Sequence, residues 1–242
     1  MRLYSIMALC RKELFSSFFS PVFYGTGAFF LLFVSIWLYY LQAFFAMDTA
    51  SLRPFFSAFP FAYILIIPAI TMKSWAEEKK TGTAELLYSL PLSLWELSLG
   101  KFLSSFIVLC IYIFLTVPVP LSILPLARFD LGVIVTEYTG AVLLGASIIS
   151  LGLFFSALSK SQAAAFLGSA MVLLALMLID RLNMSFNLPA GFSRFLYFFS
   201  LTFHFESFSR GLLDSRDIAF FVLASILFLF LSTRILIFRK WS

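Results

Sequence analysis

The chain has 242 residues, of which 62% are hydrophobic and 12% charged, with 33 phenylalanines and a formal charge of +5. A soluble domain carries roughly 25% charged residues, so the composition excludes a soluble fold and leaves no room for a large soluble domain beside a bundle of membrane helices. The basic residues form no stripe for nucleic acid, the single histidine, His204, excludes a multi-histidine metal site, and Cys10 and Cys110 lie in settings too different for a disulfide.

Residues 1–20 place Leu3, Met7, Cys10, Leu14 and Phe18 at helical spacing, with Arg2, Ser5, Lys12 and Ser16 opposite. This pattern predicts an amphipathic helix in the membrane interface, ended by Pro21; a charged tail before the first span is the alternative. Arg11 and Lys12 stand where a signal peptide needs its apolar stretch, and no small-residue cleavage site is seen. Uncharged stretches follow at 22–47, 55–72, 102–127, 138–159, 161–179 and 218–233, the last reaching 238 if Arg234 snorkels. With boundary residues included, six transmembrane helices are assigned to 22–47, 55–73, 101–127, 137–159, 161–180 and 218–238. Residues 182–205 are also apolar but are interrupted by Pro189, Gly191 and Arg194, so no span is assigned there. The expected fold class is an all-α integral membrane protein.

Six crossings put both termini on one side. Eleven basic residues then share that face: Arg2, Arg11, Lys12, Lys73, Lys79, Lys80, Lys101, Lys160, Arg234, Arg239 and Lys240. Arg53, Arg128, Arg181, Arg194, Arg210 and Arg216 lie opposite, so the positive-inside rule places the termini in the cytoplasm. Trp75, Trp95 and Trp241 fall at the same boundary, where an aromatic belt belongs. The expected location is the cytoplasmic (inner) membrane. None of the uncharged stretches holds a carboxylate for an ion-driven relay, so any driving force must enter elsewhere. Small residues line one face of the fourth span (Ala141, Gly145, Gly152, Ser156) and of the fifth (Ala164, Gly168, Ala175), suited to close packing within the bundle or against a second copy.

Between the second and third spans, residues 74–100 carry most of the clustered charge, in the run Trp75-Ala-Glu-Glu-Lys-Lys-Thr-Gly-Thr-Ala-Glu-Leu-Leu87. The second span can continue as a helix through Glu78. Thr81-Gly82 then breaks it, and a short helix over 83–90 presents Leu86, Leu87 and Leu90 on one face, with Glu85 and Ser89 outside it, until Pro91. Ser93-Leu-Trp-Glu96 reads as a capping box, with Leu92 and Leu97 as its staple. Such a capped segment suits docking into a partner's groove; a solvated hairpin between spans is the alternative.

Beyond the fifth span, Leu201, Phe205, Phe208 and Leu212 form one helical stripe, and Glu206 can pair with Arg210 four residues on. His204 beside Glu206 lacks the further ligands a metal needs. Asp214, Arg216 and Asp217 read as a cap for the sixth span.

The run from Ser74 to Phe102 resembles the signature segment of type-2 ABC exporter permeases. The matching residues are Ala76, Glu77, Glu78, Lys79, Lys80, Gly82, Thr83, Glu85, Leu86, Leu87, Pro91, Gly100 and Lys101. The six spans, the interfacial first helix and the run from Gly152 to Gln162 fit the same family, so the resemblance covers nearly the whole chain. His204 to Asp217 and the run from Pro68 to Thr83 are similar to the gliding-motility-type subgroup. The resemblance implies a single permease domain over 1–242 with a coupling helix in 74–100, including Thr81, that contacts a separate ATP-binding subunit. It also implies two permease copies or paralogues around the pathway, a re-entrant or interfacial outer helix at 181–217 near a gate, and an extracytoplasmic accessory subunit. A lid over the bundle is the alternative for that outer helix. ATP and Mg²⁺ would belong to the partner, since the chain shows no Gly-x-x-x-x-Gly-Lys-Ser/Thr loop and Gly100-Lys101 lacks its other members. An intramembrane enzyme finds no His-Glu-x-x-His or Gly-x-Ser-x-Gly. A channel or scaffold without an ATPase is the competing function.

Overall fold

The computed structural model describes residues 2–42, 51–83, 85, 92–126, 129–186, 191 and 197–240, and among them are helices and no strand. Helix α1 (Arg2–Phe18) leads directly into α2 (Pro21–Ile36). Ser20 Oγ accepts from Val22 N at 3.4 Å, and Pro21 takes the first helical position, where its missing N–H is harmless. A π-helical turn, Trp37–Leu41, extends α2. Helices α3 (Arg53–Phe56), α4 (Ala58–Thr71) and α5 (Lys73–Lys80) follow one another across single-residue junctions. Helix α6 (Leu94–Thr116) opens on the predicted capping box: Ser93 Oγ accepts from Glu96 N at 3.2 Å, and Glu96 Oε2 accepts from Ser93 N at 2.8 Å. It passes through Val117 into α7 (Pro118–Ile123).

Asp130 caps α8 (Leu131–Leu158) by accepting from Gly132 N at 2.8 Å. Then come α9 (Gln162–Phe186), α10 (Leu201–Ser209) and α11 (Ser215–Lys240). Among the described residues, six stretches are long and apolar enough to cross a membrane: Pro21–Leu41, Arg53–Lys80, Leu94–Ile123, Leu131–Leu158, Gln162–Ile179 and Ser215–Phe238. The protein is an all-α, multi-pass membrane protein.

The fourth crossing is the central post. Of its most apolar stretch 67% is buried, against 22% for the first crossing, and α8 packs on α4, α6, α9, α10 and α11. Its small residues permit this. Ala141 is fully buried, a Cβ on Gly145 would overlap Leu109 Cδ2 of α6, and one on Gly152 would overlap Thr71 Oγ1 of α4. This face is therefore filled by helices of the same chain. On α9, Gly168 lies against Phe155, whereas Ala164 and Ala175 are exposed; Ala165, Ser169, Leu173 and Met177 form the buried side instead.

Several expectations need correction. The stripe on α1 is split: Met7 and Phe18 are exposed, while Cys10 and Leu14 turn with Ile6, Leu9 and Glu13 toward the bundle, where α1 lies along α6. Trp75 is fully buried, so it belongs to the core and not to an interfacial belt. The fourth crossing begins at Leu131, where Asp130 caps it, so Glu137, assigned to its boundary, lies well inside it and is fully buried. A carboxyl thus does lie within a membrane-spanning helix. Trp241, Pro189 and Arg194 fall outside the described residues.

Candidate coupling site

The charged run divides into a fixed base and a free tip. At the base, Trp75 and Ala76 are buried against α8, and Ser156 Oγ accepts from Trp75 N at 3.0 Å and Ala76 N at 3.2 Å while donating to Met72 O at 3.0 Å. One small hydroxyl thereby ties the root of α5 to the end of α8. Ser156→Ala should cost about 1–3 kcal/mol, the penalty for leaving buried polar groups unpaired; a lowered thermal midpoint of the purified chain checks it. Lys79 extends this seam, its Nζ donating to the carbonyls of Ser156, Ala157 and Ser159 at the C-terminal end of α8, where a cation also suits the helix dipole.

Lys101 provides the second attachment. Its side chain is 1% exposed, and its Nζ donates to Glu78 Oε1 at 2.6 Å, Ser74 O at 2.7 Å and Glu13 Oε1 at 3.3 Å. The ammonium also sits 4.8 Å from the centre of a Trp75 ring, a cation–π contact. Every donor on Lys101 is thus used, and the three bonds join α1, α5 and α6. Gly100 serves the same junction, because any Cβ there would press into Leu9 of α1. The Gly100-Lys101 pair is therefore a helix-packing and charge-latching element.

The tip is exposed. Glu77, Lys80, Thr81, Gly82, Thr83 and Glu85 all face outward, whereas Glu78 and Lys79 are half-buried and committed to the base. The predicted break is present: Gly82 has φ +73°, a left-handed conformation that suits glycine. Thr81 Oγ1 donates to Glu77 O at 2.9 Å, closing the end of α5. Thr83 and Glu85 are helical, and Leu86, Leu87, Leu90 and Pro91 lie outside the described residues. Leu97, the staple residue, is fully buried, and Leu92 packs against the core.

At the opposite end, α10 lies across α8 through buried Leu201, His204, Phe205 and Phe208. Thr136 Oγ1 donates to Phe208 O at 3.1 Å, and Gly140 leaves room for the Phe208 ring. The expected Glu206–Arg210 pair forms at 2.9 Å on the exposed face. Leu212 does not extend the stripe: the helix stops at Ser209, Gly211 turns the chain with φ +77°, and Leu212 is exposed. His204 pairs with Asp217, Nδ1 to Oδ1 at 2.6 Å, and stacks on Phe220, so the imidazole pins α10 to α11. Asp214 caps α11, accepting from Arg216 N at 2.9 Å, and Asp217 lies in its first turn, as expected. Sequence reading assigned neither the His204–Asp217 bond nor the Lys101 latch, since each joins residues from different helices.

Six apolar helices, with a charged extension between the second and third, define a multi-pass membrane protein. The chain belongs to the ABC-2 family of transporter proteins, whose family profile, described as "ABC-2 family transporter protein", matches residues 7–238. A search of curated proteins gives no match. Family membership makes the chain an ABC transporter permease, the membrane component rather than the ATP-binding subunit, and implies partnership with ATP-binding subunits.

Proposed function

We propose that the tip formed by Glu77, Lys80, Thr81, Gly82, Thr83 and Glu85, continuing through Leu86, Leu87, Leu90 and Pro91, docks on a separate ATP-binding subunit and drives export. The observation that carries this reading is an exposed, charged tip on a base bolted to α1, α6 and α8. Motion received at the tip then moves the second and third crossings as a unit rather than bending a loop. In this reading ATP and Mg²⁺ are bound by the partner, the tip and both termini face the cytoplasm across the inner membrane, and a second permease copy or paralogue completes the pathway. The outer helix α10, with Phe205, Phe208 and the Glu206–Arg210 pair, forms the lid on the far side. The gliding-motility-type resemblance of the neighbouring segment supports an extracytoplasmic accessory subunit there.

The test is retention of an ATP-binding subunit when the full chain is purified from its native membrane. Glu77→Lys combined with Lys80→Glu should reduce that retention at least about fivefold, the effect of losing one or two charge-assisted contacts. Unchanged retention would refute tip docking, and absence of any such subunit from the unmodified protein would favour a channel or scaffold. Glu78 is unsuited to this test, since it is turned inward to Lys101.

A further inference from the structure

Between α1, α2, α4, α5 and α6 lies a cavity of about 650 Å³, within the roughly 300–1,000 Å³ of small-molecule sites. Its lining is graded. Lys12, Glu13, Lys73, Glu77, Glu78 and Lys101 supply the charges, three of each sign. Along α6 the lining passes from Lys101 through Ser104 and Ser105 to Val108, and Ser16, Ser17, Val22, Phe23, Thr26 and Ile70 complete the wall between α1 and the first three crossings. Charge, hydroxyl and hydrocarbon in that order match the profile of a membrane lipid entering from headgroup to chain.

The charges also sort by availability. Lys101 is saturated by Glu13, Glu78 and Ser74 O. Lys73 Nζ meets a neutral acceptor, Ser20 Oγ, at 3.2 Å. Lys12, Lys73 and Glu77 form no ion pair among the described residues, and Glu13 engages Lys101 through one oxygen, with its side chain 20% exposed. The cavity therefore offers two ammonium groups to an anion, and carboxylate oxygens to a cation that can donate hydrogen bonds. Its balanced charge disfavours a purely anionic ligand.

We propose that this cavity binds the headgroup of a phosphatidylethanolamine-type lipid, with the phosphate held by Lys12 and Lys73, the primary ammonium by Glu77 and Glu13, and the chains along the apolar wall of Val22, Phe23, Ile70 and Val108. A quaternary ammonium has no N–H to give, so phosphatidylcholine lacks half of this recognition. The site abuts the Lys101 latch, so an occupant would brace the root of α5. The site shares Glu77 with the proposed docking tip, so its test uses the chain free of any ATP-binding subunit.

The test is native mass spectrometry of the delipidated full-length chain in detergent, offered equal amounts of dioleoyl phosphatidylethanolamine, phosphatidylcholine and phosphatidylglycerol. Phosphatidylethanolamine should be retained about fivefold over either competitor, as expected for a charge-assisted bond the others cannot complete. Glu77→Gln should erase its advantage over phosphatidylcholine. Lys12→Gln with Lys73→Gln should weaken retention of all three lipids, Lys12→Arg with Lys73→Arg should preserve it, and Lys160→Gln, a charge loss outside the cavity, should behave as the unmodified chain. Equal retention of phosphatidylcholine, a preference for phosphatidylglycerol, or an equal loss in Lys160→Gln would overturn the proposal. Complete displacement by soluble glycerophosphoethanolamine would overturn the lipid assignment, since the apolar wall would then contribute nothing.

Discussion

Replacing Lys101 by methionine should destabilise the protein by about 3–5 kcal/mol, the range for removing one partner of a buried ion pair. Methionine keeps much of the stem's volume, so the loss is electrostatic rather than a cavity effect. It leaves the Glu78 and Glu13 carboxylates facing each other across a site in which the ammonium was 1% exposed, and it strips Ser74 O and the Trp75 ring of their cation. The measurement is the thermal or chemical unfolding midpoint of the purified chain in detergent. Adding Glu78→Gln and Glu13→Gln to Lys101→Met should restore a large part of the loss, because the penalty is mainly that of the orphaned charges. Non-additivity of this kind is the signature of a shared network. A single variant that unfolds at the unmodified midpoint would mean that the latch holds nothing.

Gly152→Ala should be the more damaging of two otherwise similar substitutions on the central post, costing about 1–3 kcal/mol, with Gly145→Ala near the lower end of that range. Both glycines face a neighbouring helix at a distance that excludes a methyl group. The difference lies in what must move. At Gly145 the obstacle is Leu109 Cδ2, the far end of a flexible side chain. At Gly152 it is Thr71, whose Oγ1, Cβ and Cγ2 all crowd the site and whose hydroxyl is tied to Ile67 O at 2.9 Å. Turning Thr71 about χ1 would break that bond and would not move its Cβ, itself 3.0 Å from the added methyl. Thr71→Ala should therefore rescue Gly152→Ala, and unfolding midpoints of the two single variants and the pair provide the check. Equal midpoints for the two glycine variants would refute this account.

Signals confined to one helix were legible in the sequence. The capping box at Ser93 and Glu96, the break at Gly82, the Glu206–Arg210 pair and the six apolar stretches depend on neighbours a few residues apart, and each is present in the structure. What escaped requires knowing which helices touch. Trp75 looks interfacial by position, yet Ser156, 81 residues away, and Lys101 draw it inside. Glu78 and Lys79 look like their exposed neighbours in the charged run, but one closes on Lys101 and the other on the carbonyls ending α8. The late start assigned to the fourth crossing had a local remedy, since Asp130 two residues before Gly132 is a helix-cap signal. The segmentation by charge overrode it at Glu137.

That glutamate has a consequence for the outer end. Its carboxyl is fully buried, with Ser209 and Arg53 as the polar groups that act on it. Raising α10 would admit water to it and return about 1–3 kcal/mol of withheld hydration, offsetting part of the cost of pulling Phe205 and Phe208 out of the bundle. The contact of α10 with α8 is thus weaker than its aromatic side chains alone would make it.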